Sequence, residues 1–441
     1  MTDAVYYAAV LAAIGVFLVF PTWLKLHLRE RRARQRLEAA VAAGRHEPAT
    51  IRPVIDPGLC MGSGACVKAC PEDVLQIVAG QARVVDGAKC VGHGACATAC
   101  PVDAIALVFG SERRGVELPA VKPNFQTNVP GVFIAGELGG MGLIANAVEQ
   151  GVQAVANASR GLAKSAGAGG LDLVIVGAGP AGLGAGLEAH RRGLAYAVLE
   201  QDEFGGALRH FPRQKLVMTR PMDLPGYGKA RVHTPRKEAL IELFEQVVAK
   251  TGLRVDTQER VEGMTGSDGA FVVRTSKREL HTARVVLAIG RRGTPRKLGV
   301  PGEELEKVAY RLVDPELYEL QHLLVVGGGD SALEAAASLA EQPGNRVTLS
   351  YRGTAFNRPK ADNLERLQRA EAAGALTVKL GSTVTRIGVD RVWLDEGGAE
   401  TLVPNDFVFV LAGGVLPTAF LAGIGVEMQT HYGKRVAPAG S

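Results

Sequence analysis

The sequence predicts an α/β protein, and three features predict it. Two glycine-rich turns each follow an apolar strand and open a helix, a cysteine motif repeats after 30 residues, and an uncharged run stands near the N-terminus. The 441 residues give room for about three domains. An apolar fraction of 47% with 55 glycines suits many tight strand-to-helix turns and argues against disorder. The formal net charge of +5 is local: Lys25, Arg29, Arg31, Arg32, Arg34 and Arg36 stand against the single acid Glu30. The rest is close to neutral, so no nucleic-acid partner is expected.

Residues 4–24 carry no charge, and at about 1.5 Å per residue they span a hydrocarbon core of about 30 Å. Tyr6, Tyr7 and Trp23 lie near the ends of the run, where aromatics favour an interface. A cleaved signal peptide would put basic residues before the run; here Asp3 precedes it and six basic residues follow. We expect a single-pass transmembrane helix over 4–24 and a basic juxtamembrane linker over 25–50. The positive-inside rule then places the catalytic domains in the cytoplasm, anchored to the cell membrane, with the basic stretch against lipid headgroups.

All six cysteines lie between residues 60 and 100, which reads as metal ligation rather than a disulfide framework. Cys60, Cys66 and Cys70 are followed by Pro71, and Cys90, Cys96 and Cys100 by Pro101, each set spaced C-x5-C-x3-C-P. A zinc ribbon would use C-x2-C pairs. The spacing resembles the bacterial dicluster ferredoxin run C-x2-C-x2-C-x3-C-P with the second cysteine replaced, by Ser63 and by His93. That resemblance implies a small α+β ferredoxin-like domain over 51–110 with two iron–sulfur clusters. One would take Cys60, Cys66 and Cys100, the other Cys90, Cys96 and Cys70. Three thiolates suit [3Fe–4S]; with His93 as a nitrogen ligand the second would suit [4Fe–4S]. Ser63 and His93 also read as loop residues beside three-iron clusters.

From Leu171 an apolar strand runs into Gly177-x-Gly179-Pro180-Ala181-Gly182, a helix, and a second strand ending at Glu200. Gly177 permits the turn, Gly179 lets backbone N–H groups approach a pyrophosphate, and Gly182 permits close helix packing. Glu200 is placed to hold a ribose. A second unit carries Gly327-x-Gly329-Asp330-Ser331-Ala332, and its second strand ends in Ser350-Tyr351-Arg352 without an acid. Arg352 and Arg358 are the candidates to meet a 2′-phosphate, which favours NADPH.

Between these units Ala288-Ile289-Gly290 resembles the A-T-G crossover of two-dinucleotide-domain flavoproteins, and Asp406–Leu421 resembles their returning strand. Residues 171–441 thus resemble the thioredoxin-reductase-like superfamily. The resemblance implies FAD on the first fold, with Gly206 and Gly290 beside it, and NAD(P)H on the second. Such chains end in T-x-x-P-G-V-F-A-x-G-D, whose acid holds the flavin ribityl chain. Here the match lies earlier, from Thr127 to Gly151, with Gly136-Glu137 in place of Gly-Asp. We read this as a circular permutation in which 111–165 completes an FAD domain over 171–294, with NAD(P) at 295–413 and a return at 414–441. Thioredoxin reductases carry a C-x-x-C pair and bacillithiol disulfide reductases a cysteine in the glycine loop, where Ala181 stands here. Neither thiol chemistry is expected.

Three readings follow. The first is a membrane-anchored NAD(P)H-dependent reductase passing electrons through FAD and clusters to a ferredoxin, quinone or cytochrome. The second is a flavoenzyme acting on a small substrate lined by 205–229, with Gln214 and Lys215 near the flavin by resemblance. The third is a non-catalytic redox sensor or scaffold. The flavoprotein resemblance also implies a homodimer.

Overall fold

The computed structural model describes residues 6–7, 15–42, 51–90, 92, 94–110, 115–140, 143–162, 170–211, 213–217, 219–291, 295–356 and 359–435. They form two compact units. The first runs to Gly115 and includes Tyr432–Val436, and the second is Val116–His431.

In the first unit a π-helical turn, Gly15–Val19, leads into helix Phe20–Ala42. Pro21 lacks an N–H, which breaks the regular ladder there and accounts for the widened turn. Among the described residues no helix is long and apolar enough to cross a membrane. Residues 4–5 and 8–14 of the expected span over 4–24 lie outside the described ones. The expected linker over 25–50 is corrected as far as Ala42, because it is helical. No Gly or Pro interrupts 22–42, and Arg, Gln, Glu, Leu and Ala are good helix formers. Ala33 and Ala40, seven residues apart, are buried, and Glu30 Oε1 accepts from Ala79 N at 2.9 Å. The helix is therefore seated on the hairpin Leu75–Val78/Gln81–Val84.

Strand Ile51–Ile55 pairs antiparallel with Ile105–Phe109, and Lys434–Arg435 pairs with the other edge of the latter. The expected return of 414–441 to the flavin domain thus holds a difference at its end: Lys434 and Arg435 cover an edge of the first unit's sheet, which would otherwise be open.

In the second unit, strand Glu279–Leu287 pairs in parallel with Leu171–Val176, which pairs with Tyr196–Leu199. On its opposite edge it pairs in parallel with Val132–Ile134 and in antiparallel with Ala270–Thr275. The segments Val132–Ile134, 173–176 and 285–287 are apolar and buried, as suits parallel strands covered on both faces. Helix Ile144–Ala158 packs on helix Pro180–Arg191 through small residues. A Cβ on Gly151 would lie 2.0 Å from the Ala181 carbonyl oxygen, and one on Gly184 would lie 2.2 Å from that of Val148. Helix Thr418–Gly423 returns to this core, where Leu421, Ile424 and Val426 meet Val132, Ile134 and Val174. Strand Met428–His431 then pairs with Val116–Pro119.

The second sheet is parallel, in the order Val308–Ala309, Phe407–Val410, His322–Val326, Arg346–Tyr351 and Leu376–Leu380. A three-stranded antiparallel sheet, from Ser382 to Pro404, follows it.

Gly184→Val must push the two glycine-faced helices apart. We expect a loss of about 2 kcal/mol, read as a lower thermal midpoint. Gly193→Asn, at φ 66° in open space, should leave the midpoint nearly unchanged.

Candidate functional site: two dinucleotide loops and two thiol groups

The cysteine repeat folds as two copies of one loop and short helix. Gly62 and Gly64 (φ 69° and 73°) precede helix Ala65–Ala69, and Gly92 and Gly94 (φ 78° and 76°) precede Ala95–Thr98. The copies exchange their last cysteine. Cys60, Cys66 and Cys100 line one small cavity with Ser63, and Cys70 lies with Cys90 and Cys96. Ala82 N donates to Cys60 Sγ at 3.4 Å and Ala104 N to Cys100 Sγ at 3.2 Å. Burial pushes the Cys66 thiol up, with Cys60 and Cys100 adding to it. Burial, then the neighbouring Cys90 and Cys70, pushes Cys96 up to about 12. All six thiols are free. Crowded thiols with backbone donors aimed at sulfur fit an iron–sulfur cluster, whose cationic iron displaces the protons that burial retains. Among the described residues no three such donors converge on a point that a single metal ion would need; a cluster spreads its thiolates over separate irons. Ser63 Oγ accepts weakly from Ala65 N at 3.5 Å. His93 lies outside the described residues.

The first glycine loop is shaped for close approach. Gly177 has φ 101°, and its Cβ would lie 2.6 Å from the Ala288 carbonyl oxygen. A Cβ on Gly182 would lie 1.8 Å from the Gly177 oxygen. Glu200 is buried; its Oε2 accepts from Ala178 N at 2.8 Å and its Oε1 from Asp202 N at 3.1 Å. Helix Pro180–Arg191 begins after Gly179 with no side-chain cap, so its first N–H groups face a cavity of about 1650 Å³. Gly179, Pro180, Ala181, Glu200, Gly206, Gly290 and Glu137 line that cavity too. Gly136 stands behind it, its N–H donating to Gln150 Oε1 at 2.9 Å; a Cβ there would lie 2.8 Å from Ala181 Cβ. These features fit a dinucleotide.

The second loop faces the same cavity through Gly327, Gly329, Asp330, Ser331 and Arg352. Helix Asp330–Ala340 also begins without a side-chain cap. Asp330 is engaged elsewhere: its Oδ1 accepts from Lys360 N and Asn363 Nδ2, both at 2.8 Å. Arg358 lies outside the described residues. Hydrogen-bond register aligns the two units. Gly177 N donates to Leu199 O and Gly327 N to Ser350 O, so Tyr351 takes the place that Glu200 takes beside the first glycine loop. Its ring lies where a Cβ on Gly328 would be, at 2.3 Å, and stacks on Phe356.

Sequence reasoning also missed Arg291, Arg296, Lys297 and Arg311, which add positive charge to the cavity wall. The signal was the basic run after Gly290. Burial draws the Arg291 pKa down, while Glu137 and Glu117 nearby oppose it. Gln214 and Lys215, expected near the flavin, are not among the lining residues. Lys215 Nζ instead pairs with Glu334 Oε2 at 3.0 Å, and Gln214 N donates to Glu238 Oε1.

The family model for pyridine nucleotide-disulphide oxidoreductases matches residues 174–435. The chain belongs to that family. A 4Fe-4S dicluster domain model matches residues 52–101. Among curated relatives, the bacilliredoxin reductase Bdr of Bacillus subtilis is 29% identical over 59% of this chain and 82% of its own length. A ferredoxin–NADP reductase of Thermus thermophilus is 31% identical over 59% of this chain and 78% of its own. The solved bacillithiol disulfide reductase Bdr of Bacillus cereus superposes with a TM-score of 0.51 at 25% identity, covering 58% of this chain and 82% of that one. Together these matches support FAD, NAD(P)H and a 4Fe-4S cluster as cofactors of this family member.

Glu200→Ala leaves the Ala178 N–H without its buried acceptor, a cost of about 1–3 kcal/mol. It should lower the flavin absorbance per protein while iron content stays the same. The exchanged cysteines predict that Cys70→Ser and Cys96→Ser perturb one EPR signal and Cys66→Ser and Cys100→Ser another. Signals that sort by position along the chain would contradict the geometry.

Proposed function

We propose that the chain is a membrane-anchored NAD(P)H-dependent flavoprotein oxidoreductase that passes electrons through two iron–sulfur clusters to a redox partner. One observation carries the reading. A single chain joins two glycine loops that open on one cavity to a unit with two groups of three thiols. When bound, FAD would take a hydride from NAD(P)H, and the clusters would take electrons one at a time.

The residues have separate tasks. Gly179 and the N-terminus of helix Pro180–Arg191 would receive the FAD pyrophosphate, and Glu200 would anchor its ribose. Glu137 and Gly290 would border the flavin from the segments 132–139 and 285–290. Gly327, Gly329 and Ser331 would receive the nicotinamide cofactor. Arg352, with Tyr351 in place of an acid, favours NADPH. Pairing of Val132–Ile134 with Glu279–Leu287 supports the permutation, in which 111–165 supplies the part of the FAD domain that relatives carry at their C-terminus. Three thiols per group support a three-iron cluster or a four-iron cluster completed at one corner by another ligand.

The uncharged run over 4–24 and the basic helix after it support a single-pass anchor with the catalytic units in the cytoplasm. The ferredoxin–NADP reductase names among the relatives support a one-electron carrier as partner. The engagement of Lys215 with Glu334 removes that side chain from a small-substrate pocket, to which 205–229 would contribute through Gly206, Leu208, His210 and Phe211.

Anaerobic purification followed by NADPH titration tests the reading. We expect bound iron and flavin, bleaching of the flavin absorbance, and a change in the cluster EPR signal. Protein that holds flavin but no iron would overturn it.

A further inference from the structure

The two copies of the thiol loop are alike in backbone but not in exposure. Around Cys60 the chain is open to solvent: Asp56, Pro57 and Gly58 are exposed, Leu59 is 54% exposed and Met61 66%. Thirty residues on, Asp86 is 8% exposed, Gly87 is buried and Lys89 half-buried, and a Cβ on Gly92 would lie 3.0 Å from Ile51 Cβ. One thiol group is thus enclosed on this side, while the other is presented beneath two exposed apolar side chains.

Basic charge lies beside the presented loop. The turn of the hairpin touches the loop twice: Gln81 Nε2 donates to Pro57 O at 2.7 Å, and the Gly80 oxygen lies 2.0 Å from where a Cβ on Gly62 would be. The same turn holds helix Phe20–Ala42 through Ala79 N and Glu30. Lys25, Arg29, Arg31, Arg32, Arg34 and Arg36 of that helix are exposed, as is Arg83 next to the Ala82 N–H that meets Cys60 Sγ. Two acids close by are engaged. Asp56 accepts from Gly58 N, and Glu30 from Ala79 N, with Arg34 3.7 Å away.

We propose that the loop carrying Leu59, Cys60 and Met61 is the docking surface for an acidic one-electron carrier protein. This rests on the function proposed above and names where its partner binds. An apolar centre with a rim of one charge sign is what a brief, steered encounter needs: the centre excludes water and the rim sets the approach. The overall balance is one NAD(P)H and two oxidised carriers giving NAD(P)⁺, one proton and two reduced carriers. Lipid itself would meet the charge but takes no electrons, and a quinone dissolved in it would not need the charged rim.

Binding of a purified acidic [2Fe–2S] ferredoxin to the full anaerobic chain in detergent, followed by calorimetry, tests this. We expect affinity to fall steeply as ionic strength rises, and to fall about tenfold in Leu59→Glu and again in Arg83→Glu, each change of that size being ~1.4 kcal/mol. Iron content and flavin bleaching by NADPH should not change in these variants. Unaltered affinity in both variants would overturn the proposal, as would equal binding of a basic cytochrome. Loss of binding to anionic vesicles with ferredoxin binding intact would assign the surface to lipid instead. Failure of NADPH to bleach the flavin in the unsubstituted chain would count against the proposed function and leave the binding measurement readable.

Discussion

Strand Glu279–Leu287 has hydrogen-bonded neighbours on both edges, and the first glycine loop, Glu137 and Gly290, which face the large cavity or lead into it, are hung from it. Its end, Ala288-Ile289-Gly290, closes against Gly177 so tightly that a methyl group there would strike the Ala288 carbonyl. On one side the strand aligns the first glycine loop. On the other it aligns the strand that delivers Glu137. A parallel strand satisfied on both edges has little freedom to slip, since a shift of one residue would turn its buried side chains outward. The placement of loop, acid and crossover is therefore one constraint met three times.

The first unit relies on a different economy. It is small, and its core cluster includes Cys66 and Cys96 together with half-buried Cys60, Cys70, Cys90 and Cys100 among few large apolar side chains. Burial raises the cost of ionising Cys66, Cys90 and Cys96, so these hold protons that a bound cation would displace. A bound cluster would then couple its occupancy to folding, because the residues that fill the core are the residues that would ligate.

Much of this was legible in the sequence because the signals are local. The glycine loops and their strands read as they fold, and the repeat of cysteine, glycine and proline located both thiol groups. What was not legible depends on partners far along the chain. Residues 25–42 looked like a linker because charge dominated the reading; Ala33 and Ala40 carried the helical spacing, but their burial needed the hairpin at 75–84. Tyr351 could be matched to Glu200 only through the backbone register of Gly327 and Ser350. Lys215 found Glu334 across 119 residues, which no local pattern encodes.

The short strand Lys434–Arg435 belongs to the sheet of the first unit although the residues just before it belong to the second. The polypeptide thus passes between the units twice. The first unit therefore cannot be gained, lost or exchanged as one contiguous cassette, whereas the described part of the second, Val116–His431, is one uninterrupted stretch. A single crossover in the gene would strand a piece of one unit on the other, and after a single proteolytic cut at either connection only the noncovalent pairing of Lys434–Arg435 with Ile105–Phe109 would join the two pieces. The path of the backbone thus makes the second unit an insertion between two segments of the first.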